Sequence, residues 1–297
     1  MNMEGCSLAE NPSLIAVDKW IYSRLNSAAR KMEEAFLSYR FNDAAQTVYE
    51  YFWNDFCDWY VEATKLSMKS GNAGERDRAT TVLLDVLARS LRLLHPLLPF
   101  VTEEIYAKLP NIKDGELLIT APYPVYDAKL TDEETERDFA FIQELIRQVR
   151  TLRSECTVPP EKKIKVLASV RDERHKRFLA ENADLLKLLA GVSDLDITST
   201  ENAVQGGNRP QGSIGLAGTG YELFVFIADA VDMKFLREKF TKELEKDRKY
   251  IDGLKAKIAN ENFVRNAPPE LVEEEKLKLE ESYGRVGKLE SYVRDMA

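Results

Sequence analysis

Hydrophobic positions in the first half of the chain recur at steps of three and four. Leu14, Val17, Ile21, Leu25, Ala28 and Met32 form one stripe, which predicts a helix with a single buried face. The pattern breaks at Tyr39-Arg40-Phe41, and Asn42 stands where a helix N-cap is expected. Val48, Phe52, Phe56, Trp59, Ala63 and Leu66 line the next helix, which Gly71-Asn72-Ala73-Gly74 ends. A third stripe holds Val82, Val86, Ser90 and Leu94, with Leu83, Leu87 and Leu91 beside it, and closes at His95-Pro96. Pro99 opens a short helix expected to reach Leu109, since a first-turn residue needs no N–H. Gly115 to Asp127 reads as an irregular connection with Pro122 and Pro124, and a long helix then runs from Asp132 to Glu155. Pro159-Pro160 stops it.

Beyond that point the period changes. Ile164, Val166 and Ala168 alternate as in a strand, His175 to Leu189 reads as one helix, and Asp194 to Thr198 as a second strand. Gly206-Gly207-Asn208-Arg209-Pro210 reads as a turn, and Gly212–Ala217 and Tyr221–Ala228 as two more strands. The tail returns to helix. Phe240, Leu244, Ile251, Leu254 and Ile258 keep heptad spacing, with Asp247 interrupting the seam. Val272, Leu279, Val286 and Val293 stand seven apart after Pro268-Pro269, so the two limbs form an antiparallel helical hairpin, a coiled coil. The fold class expected is mainly α: a helical bundle at 12–158, a small α+β unit at 159–231 and the hairpin at 232–297.

Composition narrows the class. The 297 residues are 44 % hydrophobic and 31 % charged, enough apolar material for a core and too much for a disordered chain. Three separated cysteines, Cys6, Cys57 and Cys156, suit a reducing compartment and exclude a disulfide framework. Two histidines and no Cys-x-x-Cys leave no ligand set for a structural zinc ion. No apolar run has membrane-spanning length, and Met-Asn-Met-Glu-Gly-Cys carries no targeting core, so the expectation is a cytoplasmic protein without a membrane partner.

The net charge of −8 hides local basic stretches. Arg147 to Arg177 holds ten Lys or Arg against four acids, with Arg147, Arg150 and Arg153 recurring every third residue. Such a face can meet successive phosphates, or be solvated cations near a helix C-terminus. Lys234 to Arg265 holds ten against six, and the limb that follows is net acidic. Those charges can pair across the seam, or the basic limb can face a polyanion. Seven aromatics fall between Tyr49 and Tyr60, more than one stripe buries, so one or two are expected on the surface, where rings stack unpaired bases. His95, before a proline, and His175, among cations, read as structural and surface residues. No Gly-rich phosphate loop follows a strand, and a hairpin accounts for Gly215, Gly218 and Gly220.

Several segments carry a family resemblance. Asp18-Lys19-Trp20-Ile21 with Ser23-Arg24-Leu25, Tyr39-Arg40-Phe41-Asn42-Asp43-Ala44-Ala45, and Trp53-Asn54-Asp55-Phe56-Cys57-Asp58-Trp59-Tyr60 resemble the anticodon-binding helical domain of the valyl-tRNA synthetases. His95-Pro96-Leu97-Leu98-Pro99-Phe100-Val101-Thr102-Glu103-Glu104 is shared with isoleucyl and leucyl enzymes, and Val149 to Lys163 is similar to the segment closing that domain. Ala259-Asn260-Glu261-Asn262-Phe263-Val264, Ala267-Pro268 and Val272 to Leu279 resemble the turn of the valyl-type C-terminal arm. The resemblance covers Leu14 to Tyr292. Ser67-Met68-Lys69-Ser70-Gly71 resembles part of the synthetases' ATP-binding loop, but it ends an amphipathic helix instead of following a βα nucleotide fold.

The resemblance implies a tRNA-binding part of a valine–tRNA ligase, with valine tRNA and the family's catalytic and editing domains as partners, acting as a monomer. It implies no cofactor here, ATP and magnesium for the whole enzyme, and no activity without the catalytic domain, whose signatures would precede Met1. On the anticodon side the candidates are Arg40, Phe41, Asn42, Arg147, Arg150, Arg153, Lys162 and Lys163; on the arm, Lys242, Lys246, Lys249, Lys255, Lys257 and Arg265. The alternatives are the equivalent part of an isoleucyl or leucyl enzyme and a free-standing helical adaptor.

Overall fold

The computed structural model describes residues 7–113, 115–199 and 210–296, so Cys6 and Gly206 to Arg209 of the expected turn lie outside it. The chain divides into two compact units, Met1–Glu144 and Leu145–Ala297, with the division inside one long helix.

The first unit is helical. Helix α1 (Ala16–Leu37) buries Val17, Ile21, Leu25, Ala28 and Met32, all five from the expected stripe, as the period requires. Helix α2 (Phe41–Tyr49) starts one residue before the expected cap. Arg40 takes the N-cap position without a side-chain cap bond, and Asn42 lies inside the first turn. The rod continues through Glu50–Val61 with wider i→i+5 turns and ends as α3 (Glu62–Met68). That wider turn changes the buried face. Tyr51 and Tyr60 are buried where a uniform helix would bury Phe52, which is half-exposed.

Helix α4 (Ala73–Leu94) opens on Asn72, whose side chain accepts Gly74 N–H. It buries Val82, Val86, Ser90 and Leu94 as the stripe predicts. Helix α5 (Pro99–Tyr106) ends short of Leu109, because Leu109 turns inward with Tyr106 and Leu118 onto Leu84, Ala88 and Leu91. Helix α6 (Glu133–Glu155) closes the unit and runs on into the second.

In the second unit a four-stranded sheet has the order β2-β1-β4-β3. Strand β1 (Ile164–Val170) pairs parallel with β2 (Val192–Ser199) and antiparallel with β4 (Tyr221–Phe226), which pairs with β3 (Ser213–Gly218). The parallel pair is joined by α7 (Glu173–Glu181) and α8 (Ala183–Ala190), two helices where the sequence predicted one. Asn182 makes the break, its amide donating to the Phe178 carbonyl. Gly191 ends α8 in the left-handed conformation, φ 66°, and Gly220 turns the β3–β4 hairpin at φ 81°.

The hairpin follows. Its first limb is Met233–Ala259, its second Pro269–Asp295, and a short helix, Glu261–Asn266, fills what the sequence predicted as a plain turn. The seam holds Phe240, Leu244, Ile251 and Leu254 from one limb and Val272, Glu275, Ser282, Val286 and Leu289 from the other. Asp247, the interruption, is answered across the seam by Arg285, Nη2 to Oδ1 at 2.8 Å. Among the described residues no helix is long and apolar enough to cross a membrane.

Candidate functional site

The motif residues of the first unit hold the bundle together. The Asp18 carboxylate is buried and accepts Arg78 Nη1, the Tyr60 hydroxyl at 3.0 Å and Ile15 N–H at 3.1 Å. Trp20 stacks on Phe139, centroids 4.3 Å apart and planes at 22°. Arg24 bridges Asp55 at 2.7 Å and Glu136 at 3.2 Å. His95 Nδ1 lies 2.8 Å from Thr102 Oγ1, and the Glu103 carboxylate accepts Leu118 and Ile119 N–H. Each polar group finds a partner, as buried polar groups require. His95 is structural, and Lys69 is an exposed residue at the end of α3 beside no nucleotide fold.

One corner of this unit is open. Tyr39 adopts φ 55°, unusual for a bulky residue, and reverses the chain between α1 and α2. The reversal leaves Tyr39 81 % and Phe41 55 % exposed, their rings edge to face at 6.4 Å. Arg40 sits between them with Nη1 3.0 Å from Asp43, and Asn42 is exposed one residue on. Arg40, Phe41 and Asn42 therefore share one corner, where a ring can stack a base beside a cation and an amide. The sequence reading left out Tyr39, whose signal was the break itself. As expected of the crowded aromatic helix, two rings do reach the surface: Tyr49 and Trp53, more than half exposed and stacked at 6.5 Å.

In the second unit the α6 arginines are engaged. Arg150 Nε donates to the Leu189 carbonyl at 2.7 Å. The Arg153 guanidinium donates to the carbonyls of Gly191 at 3.1 Å, Pro159 at 3.1 Å and Lys162 at 2.9 Å, and burial pulls its pKa down. Arg147 has a partner too. The three do not form an open row of cations. Lys162 and Lys163 are exposed just beyond and form no ion pair among the described residues.

On the hairpin the candidates divide. Lys257 pairs with buried Glu275 at 3.1 Å and lies 5.0 Å from the Phe263 ring; Lys255 lies 5.1 Å from the Tyr283 ring. Arg248–Glu290 and Asp247–Arg285 also cross the seam, so part of the opposite charge does pair between limbs. Lys242, Lys246 and Lys249 do not. They follow steps of four and three along the first limb, facing away from the seam, exposed and without an ion pair among the described residues. At 1.5 Å per residue they span about 10 Å, a spacing that meets successive phosphates. Arg265 stands exposed on the short helix at the tip.

Two stretches of the chain match known families. Residues 18–168 match the anticodon-binding domain of tRNA ligase, and residues 232–297 match the valyl tRNA synthetase tRNA binding arm. The chain is 45 % identical over 290 residues to the valine–tRNA ligase of Treponema denticola, covering 96 % of this chain and 31 % of that protein. It is 36 % identical over 296 residues to that of Thermotoga maritima, covering 100 % and 32 %. The chain thus spans about a third of the length of the curated relatives it matches. With the anticodon-binding model matching half of its residues, the chain belongs to the family of the anticodon-binding domain of tRNA ligase, and its hairpin is similar to the valyl tRNA synthetase tRNA binding arm.

Proposed function

We propose that the chain binds valine tRNA, the bundle taking the anticodon side and the hairpin the outer corner of the folded RNA, for ATP- and magnesium-dependent charging by a catalytic domain of the same enzyme. The observation that carries the reading is the row Lys242, Lys246 and Lys249, unpaired on the limb that matches the family's tRNA binding arm. A row of lysines on one helix face reads phosphates and shape, not sequence, which suits the corner of a folded RNA. Arg40, Phe41 and Asn42 serve the anticodon side, and Lys162, Lys163 and Arg265 add phosphate contacts. Arg147, Arg150 and Arg153, and likewise Lys255 and Lys257, serve first to set the local structure. The working division is a bundle at 12–158, a junction at 159–231 and an arm at 232–297. The same reading makes the chain part of a cytoplasmic enzyme that works as a monomer.

Filter binding of valine tRNA to the purified chain at several salt concentrations tests this. Affinity falls steeply with salt if phosphates carry the contact. The chain alone supports neither valine-dependent pyrophosphate exchange nor charging. Salt-independent binding, or exchange above a buffer control, contradicts the reading.

A further inference from the structure

Both limbs of the hairpin are tied at their base to one residue. Glu155 is the last residue of α6, and its carboxylate accepts Lys288 Nζ at 2.6 Å and the Tyr292 hydroxyl at 2.8 Å, both from the second limb. Its backbone carbonyl accepts Lys239 Nζ, from the first limb, at 3.2 Å. A helix C-terminus presents unpaired carbonyls and a partial negative charge, so two ammonium groups are favoured there. Burial, and the acceptor role of Glu155, hold the Tyr292 hydroxyl protonated as a donor.

The post to which the hairpin is tied is itself fixed. Two residues earlier, Arg153 fastens α6 to the carbonyls of Pro159, Lys162 and Gly191. Beside the tie the surface is an open groove lined mostly by charged side chains, with Phe240, Leu289 and Tyr292 buried at its floor. A cleft of about 460 Å³ opens between Ser154, Glu155 and the limb residues Glu243, Lys246 and Leu289. Dense packing would fix the hairpin's angle without help, but a cleft of that size leaves room for tilt. At the same base, Gly215 N–H donates to Asp295 Oδ2 at 2.9 Å, which ties the end of the second limb to β3.

We infer that Glu155 is a latch that sets the angle of the hairpin on the α+β unit, and that tight binding of whole tRNA depends on it. The inference rests on the reading that the hairpin grips tRNA. Two contacts on one rigid RNA reinforce each other only when their spacing is held, and a loose hairpin loses that gain.

The test uses the full chain with Cys6→Ser and Cys57→Ser, leaving Cys156, which is buried and does not label. Spin labels at Ser193→Cys on β2 and Ala256→Cys on the first limb, both exposed, report the hairpin's angle as a distance distribution. Glu155→Ala broadens that distribution and weakens whole valine tRNA about tenfold, leaving an isolated anticodon stem-loop unaffected. Glu155→Gln, which keeps the acceptor for Tyr292, has a smaller effect on both. Lys288→Met combined with Tyr292→Phe removes the same contacts from the other side, should Glu155→Ala fail to fold. An unbroadened distribution in the folded variants overturns the latch. A companion variant, Lys242→Ala with Lys246→Ala and Lys249→Ala, separates the two claims. If it weakens tRNA and Glu155→Ala does not, the latch fails alone; if neither weakens tRNA, the reading of the hairpin fails with it.

Discussion

Two rows of cations in the second unit look alike along the chain and differ in the fold. Arg147, Arg150 and Arg153 recur every third residue on α6; Lys242, Lys246 and Lys249 recur at four and three on the first limb. The arginines stand at the end of a helix beside the loops that follow α8 and precede β1. Carbonyls at the end of α8 and in those loops have lone pairs to spare, and Arg150 and Arg153 donate to them. A guanidinium with five donors suits several carbonyls at once. The lysines stand on a hairpin only two helices thick, exposed and without an ion pair among the described residues, although Lys246 borders the cleft beside Ser154 and Glu155. Periodicity locates a cationic face; what lies within reach of it decides whether the charge supports the fold or is left for a ligand.

Two variants and one labelling measurement sharpen that contrast, from the largest effect to the smallest. Arg153→Ala removes three charge-assisted hydrogen bonds, to the Gly191, Pro159 and Lys162 carbonyls, and lowers unfolding free energy by about 2 kcal/mol, read by urea denaturation, while RNA affinity of the folded protein changes little. Lys257→Ala breaks a pair that is exposed on the lysine side, with Glu275 buried, and costs about 1 kcal/mol or less by the same measurement. Cys156 gives the mildest signal. Burial pushes its thiol up to about 12, so it resists alkylation at pH 8 while Cys57 reacts. Because the unfolded thiol ionises near pH 8.5, this contribution to stability is present below that pH and is lost as the pH rises toward 12. An Arg153→Ala protein as stable as the parent would place the arginine row back among the free cations.

Much of the fold was legible in the sequence because burial on one face leaves a period. The stripes of α1 and α4, the alternation in β1 and the heptads of the hairpin all gave their elements directly. The misses have local causes. The turns widen over Glu50–Val61, which no simple period announces, and bring Tyr51 inward in place of Phe52. Asn182 broke a helix with no Gly or Pro to announce it, by turning its own amide onto the backbone. The candidate site was less legible, for a different reason. Arg153 meets Gly191, 38 residues away, and Lys257 meets Glu275 across a turn, partners that no window along the chain contains. The segments that carried the family resemblance proved to be mostly braces: Asp18, Trp20, Arg24, His95 and Glu103 are spent on holding the bundle. The corner at Tyr39 to Asn42 combines resemblance with exposure, as do Trp53, Phe100 and Val264.

The salt dependence of tRNA binding tests the central claim most directly, because it counts phosphates neutralised. Two triple variants are compared with the parent chain: Lys242→Ala, Lys246→Ala and Lys249→Ala together, and Arg147→Ala, Arg150→Ala and Arg153→Ala together, each assayed where it is fully folded. If the lysine row faces RNA and the arginine row braces the protein, the lysine variant weakens valine tRNA about tenfold and lowers the slope of log affinity against log salt by about two to three. The arginine variant keeps the parent's slope. An unchanged slope in the lysine variant, or an equal loss in both, contradicts the account.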